Sequence, residues 1–293
     1  MDGTSKPSTS VKKPDYWLGL TNKLVVKAQD AAVEELDVFE GCNILELGCN
    51  DGEMILKILK KYKEHDLHID GVESRAHAID IAKKRIQKEA KEKAAKVSLK
   101  HQDYIKYLGA CEKKKYDIVI ASFILTNVEN SKLFRSVYKV LREKGKFIIL
   151  TKSSSHFEGL EEQFTKYAMQ NPHLFHWSSF LHIITHKKFS YVLPLKETVG
   201  LLYKAKFSKV MATEKEILSE KKFEEPTDFA RWVCETCWSG QHTSNLKKDK
   251  KEIFCKGFAE FLDWGNVRVN KEPIRLGEPF KFICPLYLII AEK

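Results

Sequence analysis

The chain has 293 residues, 43% of them hydrophobic, with 50 lysines and arginines against 40 aspartates and glutamates. That supports one large core, or a core with a sizeable insertion, and no apolar run reaches the roughly 18–20 residues a membrane span requires. The net charge of +10 raises nucleic acid as a partner, but the excess is mostly lysine set beside glutamate in helical "KK" and "KEK" patterns. Such a pattern describes a solvated helix face rather than a phosphate-binding stripe, so no nucleic-acid partner is expected.

The first residues, "MDGTSKPSTSVKKPDYW", lack the apolar middle of an export signal and read as a polar arm over 1–20. The seven cysteines then read as reduced thiols of a cytoplasmic protein. From 43 to 150, strand-like runs at 43–47, 68–73, 97–103, 116–122 and 145–150 alternate with helical patterns at 53–62, 76–94 and 131–144. The runs are nearly continuous in apolar and β-branched residues, which predicts a parallel α/β sheet covered on both faces. After Leu150 the pattern becomes helical, aromatic and histidine-bearing, as in an inserted cap. A helix and strand follow within 194–217, two helices at 226–238 and 250–264, and a strongly apolar terminal strand. The expected organisation is an arm at 1–20, a core at 21–150, a helical cap with further sheet elements at 151–285 and a closing strand at 286–293.

The stretch "NILELGCNDGEMILKIL" (43–59) carries the chemistry. A strand stops at a glycine turn that opens a helix, exposing backbone N–H groups at a strand end, where open sheets bind ligands. Gly48 and Gly52 allow close approach, and Asn50 between them tolerates left-handed angles. The dinucleotide pattern G-x-G-x-x-G is interrupted by Cys49, Asn50 and Asp51. Asp51 and Glu53 at the helix entrance disfavour a pyrophosphate and suit a cationic or zwitterionic ligand. Glu73, at the end of the second strand, is placed to accept hydrogen bonds from both hydroxyls of a ribose. Asp103, followed by Tyr104, offers an acceptor for an adenine amino group beside a ring, and Ser122 ends the fourth strand above the reacting centre. Two metal readings are set aside. The "CETC" pair Cys234 and Cys237 lacks a second pair, and His182 and His186 lack the glutamate of H-E-x-x-H.

This combination resembles the class I S-adenosylmethionine-dependent methyltransferases, whose motif E/D-x-G-x-G-x-G is matched from Glu46 to Gly52 with Asn50 for the middle glycine. The resemblance implies a seven-stranded, mostly parallel, doubly wound sheet with an antiparallel C-terminal strand. It also implies S-adenosyl-L-methionine held by Glu46, Gly48, Asn50, Gly52, Glu73, Ser74, Asp103, Tyr104 and Ser122. "ASFILTN" from Ala121 replaces the N/D-P-P-Y/F box of nucleic-acid amino methyltransferases. The paired glutamates of protein arginine enzymes and the acidic magnesium ligands of catechol enzymes are missing too, which leaves small-molecule acceptors.

Within these, the layout after Leu150 is similar to histamine N-methyltransferase and its carnosine-methylating relatives, notably "RWVCETCW" at 231–238. That similarity implies an acceptor pocket of Trp17, Gln29, Phe123, Asn127, Trp177, Phe180, Trp232 and Cys284, with Asp30, Ser122 and His176 nearest the chemistry. It also implies Tyr16 or Trp17 of the arm as the cover of the cofactor. Phe123 and Cys284 stand where the histamine enzyme has a glutamine and an asparagine, which points to a more apolar or aromatic amine. The expectation is a monomeric N-methyltransferase of an amine or imidazole-type acceptor, using no metal. The alternatives are carboxyl O-methylation of an apolar, farnesoic-type acid and a cofactor-binding protein without catalysis.

Overall fold

The computed structural model describes residues 20–125, 129–153, 160–175, 180, 193–235, 246–264, 266–269 and 272–293. The chain divides into two compact units. One comprises Met1–Asn22, Gly159–Phe189 and Lys222–Phe280; the other comprises Lys23–Glu158, Ser190–Lys221 and Lys281–Lys293.

The second of these units is built on a seven-stranded sheet. Its elements begin with α1 (Leu20–Glu34), β1 (Asn43–Leu47), α2 (Glu53–Lys61), β2 (His68–Glu73), α3 (Ala76–Glu89) and β3 (Val97–His101). They continue with α4 (Tyr104–Ala110), β4 (Tyr116–Ser122), α5 (Asn130–Val140), β5 (Leu141–Lys152), α7 (Leu195–Lys204), β6 (Lys209–Lys222) and β9 (Pro279–Glu292). The strand order is β3-β2-β1-β4-β5-β9-β6. The pairs β1–β2, β2–β3, β1–β4 and β4–β5 are parallel, and β9 runs antiparallel to β5 over Leu286–Glu292. This is the predicted Rossmann-like arrangement. The chain winds outward from β1 to β3, then returns to β4 on the other side of β1. The topological switch point therefore lies between the C-terminal ends of β1 and β4.

Alternation along the strands assigns the two faces. Leu45, Leu47, Val119, Ala121, Phe147, Ile149, Ile289 and Ala291 pack with Tyr104 and Tyr107 of α4, Phe134 and Val137 of α5 and Leu202 of α7. The opposite face carries Ile44, Glu46, Ile118, Ile120 and Ser122. Glu46 is in register with Gly71, and a Cβ built on Gly71 would stand 2.9 Å from Ile55 of α2, so α2 lies over this side. The helix suits the position: Met54, Ile55, Ile58 and Leu59 recur at helical spacing and are buried, while Lys60 and Lys61 close its last turn. α1 lies beside α2, tied by Tyr62 Oη donating to Leu36 O at 2.6 Å and Lys61 Nζ to Val33 O at 3.0 Å.

The other unit holds α6 (Leu160–Gln170), α8 (Pro226–Glu235), α9 (Lys248–Phe261) and a short hairpin of β7 (Arg268–Val269) and β8 (Glu272–Pro273). Its core is aromatic. Phe164, Tyr167 and Phe175 meet Phe254 at centroid separations of 5.0–5.3 Å, and Phe223, Phe229 and Trp232 form a second group.

The elements differ from expectation in several places, one being the helical pattern over 131–144, which ends at Val140 with Leu141–Lys144 already in β5. The third strand ends at His101, and a helix not foreseen in the sequence starts at Tyr104 with Asp103 as its N-cap. The helical pattern over 76–94 ends at Glu89 and gives way to a 3-10 turn, Lys91–Lys96. The terminal strand starts at Pro279, where the apolar run "PFKFICPLYLIIAEK" begins, and its pairing with β5 starts at Leu286.

Candidate active site

The β1–α2 turn is a run of left-handed backbone. Gly48 has φ 80°, Asn50 φ 47° and Gly52 φ 82°. Side chains close in from both sides. A Cβ on Gly48 would run into Ile124 Cγ2 just past β4, with Tyr104 Oη at 3.6 Å, and one on Gly52 would meet Ala82 and Ile86 of α3 at 3.3 Å. Glycine is required at Gly48 by both angle and space.

Glu73 ends β2 facing this turn with 2% of its surface exposed. Its Oε2 accepts from Asn50 N at 3.2 Å and from Arg75 Nη2 at 3.4 Å. Oε1 accepts from Ser74 Oγ at 3.3 Å and from Arg75 N and Nε, both at 3.0 Å. Arg75 Nη2 also donates to Asn50 Oδ1 at 2.8 Å, joining the two strand ends.

Glu46 is buried on β1, and its Oε2 has no hydrogen-bond partner among the described residues. Burial, reinforced by the charges of Asp51 and Glu73, pushes its carboxyl well above the usual range. Burial, then Glu46 and Glu73, also pushes the Cys49 thiol far up. Tyr104 is pushed up to about 12, by burial and then by Glu73. Ser122 Oγ, at the end of β4, is buried and likewise without a partner among the described residues. The next residue, Phe123, is held at φ 58° by its N–H donating to Leu150 O at 2.8 Å. The site thus offers a buried carboxylate at the end of β2, a turn open to close approach, and unpartnered oxygens on Glu46 and Ser122 among the described residues. These features suit an adenosyl group joined to a donor-bearing chain.

Several expected residues behave differently. Asp51 and Glu53 do not face a ligand, because Arg85 of α3 takes them, Nη1 to Asp51 Oδ2 at 2.8 Å and Nη2 to Glu53 Oε2 at 2.6 Å. They clamp α2 to α3, so the argument from their negative charge to a cationic ligand fails. Asp103 is exposed, and its Oδ1 accepts from Lys106 N at 3.0 Å as a helix cap. Asp30 points to solvent and pairs with Lys57, whereas its neighbour Gln29 is buried with Oε1 lacking a partner among the described residues. One residue along a helix rotates the side chain by about 100°, and that separates the two. Ser74 lies beside Glu73. Phe180 and Trp232 belong to the helical unit, where Trp232 is buried among aromatics. Tyr16, Trp17, Asn127, His176, Trp177, His182, His186, Cys237 and the side chain of Cys284 lie outside the described residues.

Sequence reasoning missed Arg75, Arg85 and Ile124. Arg75 had a readable signal: a cation two residues beyond an acid at a buried strand end.

A cavity of about 310 Å³ opens at the opposite ends of the strands, beside Asn43, His68, Asp70, Lys96 and Lys115. Asp70 accepts there from Tyr116 Oη at 2.6 Å, Lys115 Nζ at 2.8 Å and Tyr107 Oη at 3.1 Å. Its charge is committed to holding that edge together.

Residues 39–231 match the family model described as a methyltransferase domain. The chain belongs to this methyltransferase family. The match runs from just before β1 into α8, and so takes in the whole of the strand-end site. Among curated proteins, the methyltransferase is 31% identical over 137 residues to tRNA N(3)-methylcytidine methyltransferase Mettl2 of Drosophila melanogaster, covering 45% of this chain and 40% of that one. Phosphoethanolamine N-methyltransferase 2 of Haemonchus contortus, solved with S-adenosyl-L-methionine, has a TM-score of 0.53 at 17% identity over 91% of this chain and 52% of its own. YcgJ of Bacillus subtilis has a TM-score of 0.57 at 13% identity, over 91% of this chain and 98% of its own. The methyltransferase therefore spans about half or less of the first two relatives, and at these identities the solved structures attest the fold.

Proposed function

We propose that this chain transfers a methyl group to a small-molecule acceptor, an amine nitrogen being the favoured target. S-adenosyl-L-methionine is the methyl donor, and it supplies a methyl group already activated on a sulfonium. The observation that carries the reading is Glu73, a carboxylate held almost fully buried opposite the left-handed Gly48–Gly52 turn. In this reading Glu73 accepts the ribose hydroxyls, Gly48 and Asn50 let the backbone approach, and Glu46 and Ser122 satisfy their spare acceptors on the donor-bearing chain.

An amine with a free lone pair needs alignment and exclusion of water more than it needs a base. Phe123, fixed beyond Ser122 by its backbone hydrogen bond, supplies an apolar wall for that purpose. Five lysines of the sheet unit are already engaged by carboxylates. Lys61 pairs with Glu34, Lys96 with Asp66, Lys114 with Glu143, Lys146 with Asp37 and Lys215 with Glu35. Those five are committed within the fold rather than lined up for a phosphate backbone.

Incubation with cofactor labelled in the methyl group and a panel of amines tests the reading, with base-stable label in an amine as the expected product. Label confined to base-labile esters of carboxylic acids would replace it with the O-methylating alternative. The match to the Drosophila enzyme favours one further reading, methylation of RNA. Transfer RNA in the same panel decides this, since label in RNA and in no amine would overturn the small-molecule assignment.

A further inference from the structure

We propose that Arg75 is a latch on the cofactor site, occupying the Glu73 carboxylate until the ribose displaces it; this rests on the cofactor reading above. The Glu73 oxygens accept from Asn50 N, Ser74 Oγ, Arg75 N, Arg75 Nε and Arg75 Nη2, at 3.0–3.4 Å. A carboxylate has about four lone-pair directions, so no acceptor capacity is left for a diol. Two of the donors are backbone groups fixed by the turn and by the start of α3. The guanidinium alone comes from a long side chain that reaches solvent, 41% exposed against 2% for Glu73. It is therefore the donor that can leave without moving the backbone of the turn or of α3.

The reason for its presence follows from the burial of Glu73. A carboxylate this deep needs a cation nearby when no ligand is bound, and the planar fork spans both oxygens as a lysine would not. The same guanidinium donates to Asn50 Oδ1 at 2.8 Å. Opening the latch thus releases the tip of the β1–α2 turn together with Glu73, and the two ligand-facing strand ends become available in one step. Apparent affinity is the intrinsic affinity reduced by the fraction of molecules with the latch open.

The test is titration calorimetry and stopped-flow binding of S-adenosylhomocysteine to the full chain and to Arg75→Ala and Arg75→Lys. Arg75→Ala is expected to bind about three- to tenfold tighter, chiefly through a faster on-rate. Its melting temperature should drop without ligand and return to that of the parent at saturation. A purely structural residue would depress both melting temperatures and leave the on-rate unchanged. Arg75→Lys, which keeps the charge and loses the fork, should gain part of the affinity, and it carries the test if the alanine variant does not fold. Equal or weaker binding by the folded variants, with the parent binding normally, overturns the latch alone. Binding by the variants only would support it most strongly. Binding by neither parent nor variants overturns the cofactor reading and the latch together.

Discussion

Gly48→Ala is the substitution that most directly tests how the turn is built. The new methyl meets two penalties. At φ 80° an L-residue leaves the regions it prefers, at about 1–2 kcal/mol. The methyl also runs into Ile124 Cγ2, and Ile124 is only 5% exposed, so it cannot swing into solvent. Overpacking of that kind costs about 1–3 kcal/mol, for a total of about 2–5 kcal/mol. Gly41 supplies the control: its φ is 74° and a Cβ there meets nothing within 4 Å, so Gly41→Ala carries the conformational penalty alone. With about 2–4 °C per kcal/mol for a unit of this size, Gly48→Ala should lower the melting temperature by several degrees more than Gly41→Ala does. Adding Ile124→Ala removes the obstructing methyl. The double variant should then be more stable than the sum of its singles by about 1–3 kcal/mol, read from urea unfolding as a double-mutant cycle. Strict additivity, or equal melting temperatures for the two glycine variants, would refute the claim that β4 closes on the turn through Ile124.

Glu73→Ala should weaken cofactor binding by about tenfold or more, because hydrogen bonds to a buried charge are lost; calorimetry giving the parent's affinity would contradict the site. Glu46 predicts a pH dependence. The unfolded carboxyl titrates at its ordinary value of 4.5 and the folded one well above it, so between the two the folded chain binds more protons and stability falls as pH rises. Glu46→Gln should therefore gain melting temperature over the parent progressively as pH rises above the ordinary carboxyl value, and a pH-independent difference would sink the assignment. At Phe123, with φ 58°, substitution by glycine relieves strain while removing a half-buried ring, and should shift unfolding free energy by less than about 1 kcal/mol. Phe123→Val places a β-branched side chain at the same angle and should cost about 2 kcal/mol or more by urea unfolding, and equal stability of the two would show the angle to be unstrained.

The sheet was legible because its signals are local. Runs such as "YDIVIAS" and "NILEL" are apolar on both faces, and the helices between them repeat at 3.6 residues, so strand positions and their parallel order could be read directly. The α4 helix was not legible, because "YIKYLGA" is short and aromatic and its start depends on Asp103 turning back to cap Lys106 N. The turn glycines and Glu73 were visible as types at a spacing. What their neighbours do was not: Arg85 reaches Asp51 and Glu53 from about one helix away, and only tertiary packing brings them together. Reading the charges of Asp51 and Glu53 as ligand-facing failed for that reason. A sequence shows a charge but not its counter-ion.

The distribution of left-handed backbone argues for the same location independently of any side-chain chemistry. Among the described non-glycine residues, Lys114, Lys144 and Lys206 also have positive φ. Lys114 and Lys206 sit at plain chain reversals ahead of β4 and β6, and Lys144 lies in the first residues of β5; their N–H groups find Lys139 O, Tyr203 O and Lys293 O respectively. Asn50 and Phe123 differ. They lie just after β1 and β4, on the two strand ends that flank the switch point, and Phe123 is a bulky residue for which this conformation is unfavourable. The fold tolerates it because the Phe123 N–H extends the β4–β5 ladder to Leu150 O, while Ile124 is driven down onto Gly48. The strained corner on β4 and the glycine on β1 are thus one device: the β4 chain must turn sharply to bring Ile124 against the turn, and only glycine at 48 leaves room for it.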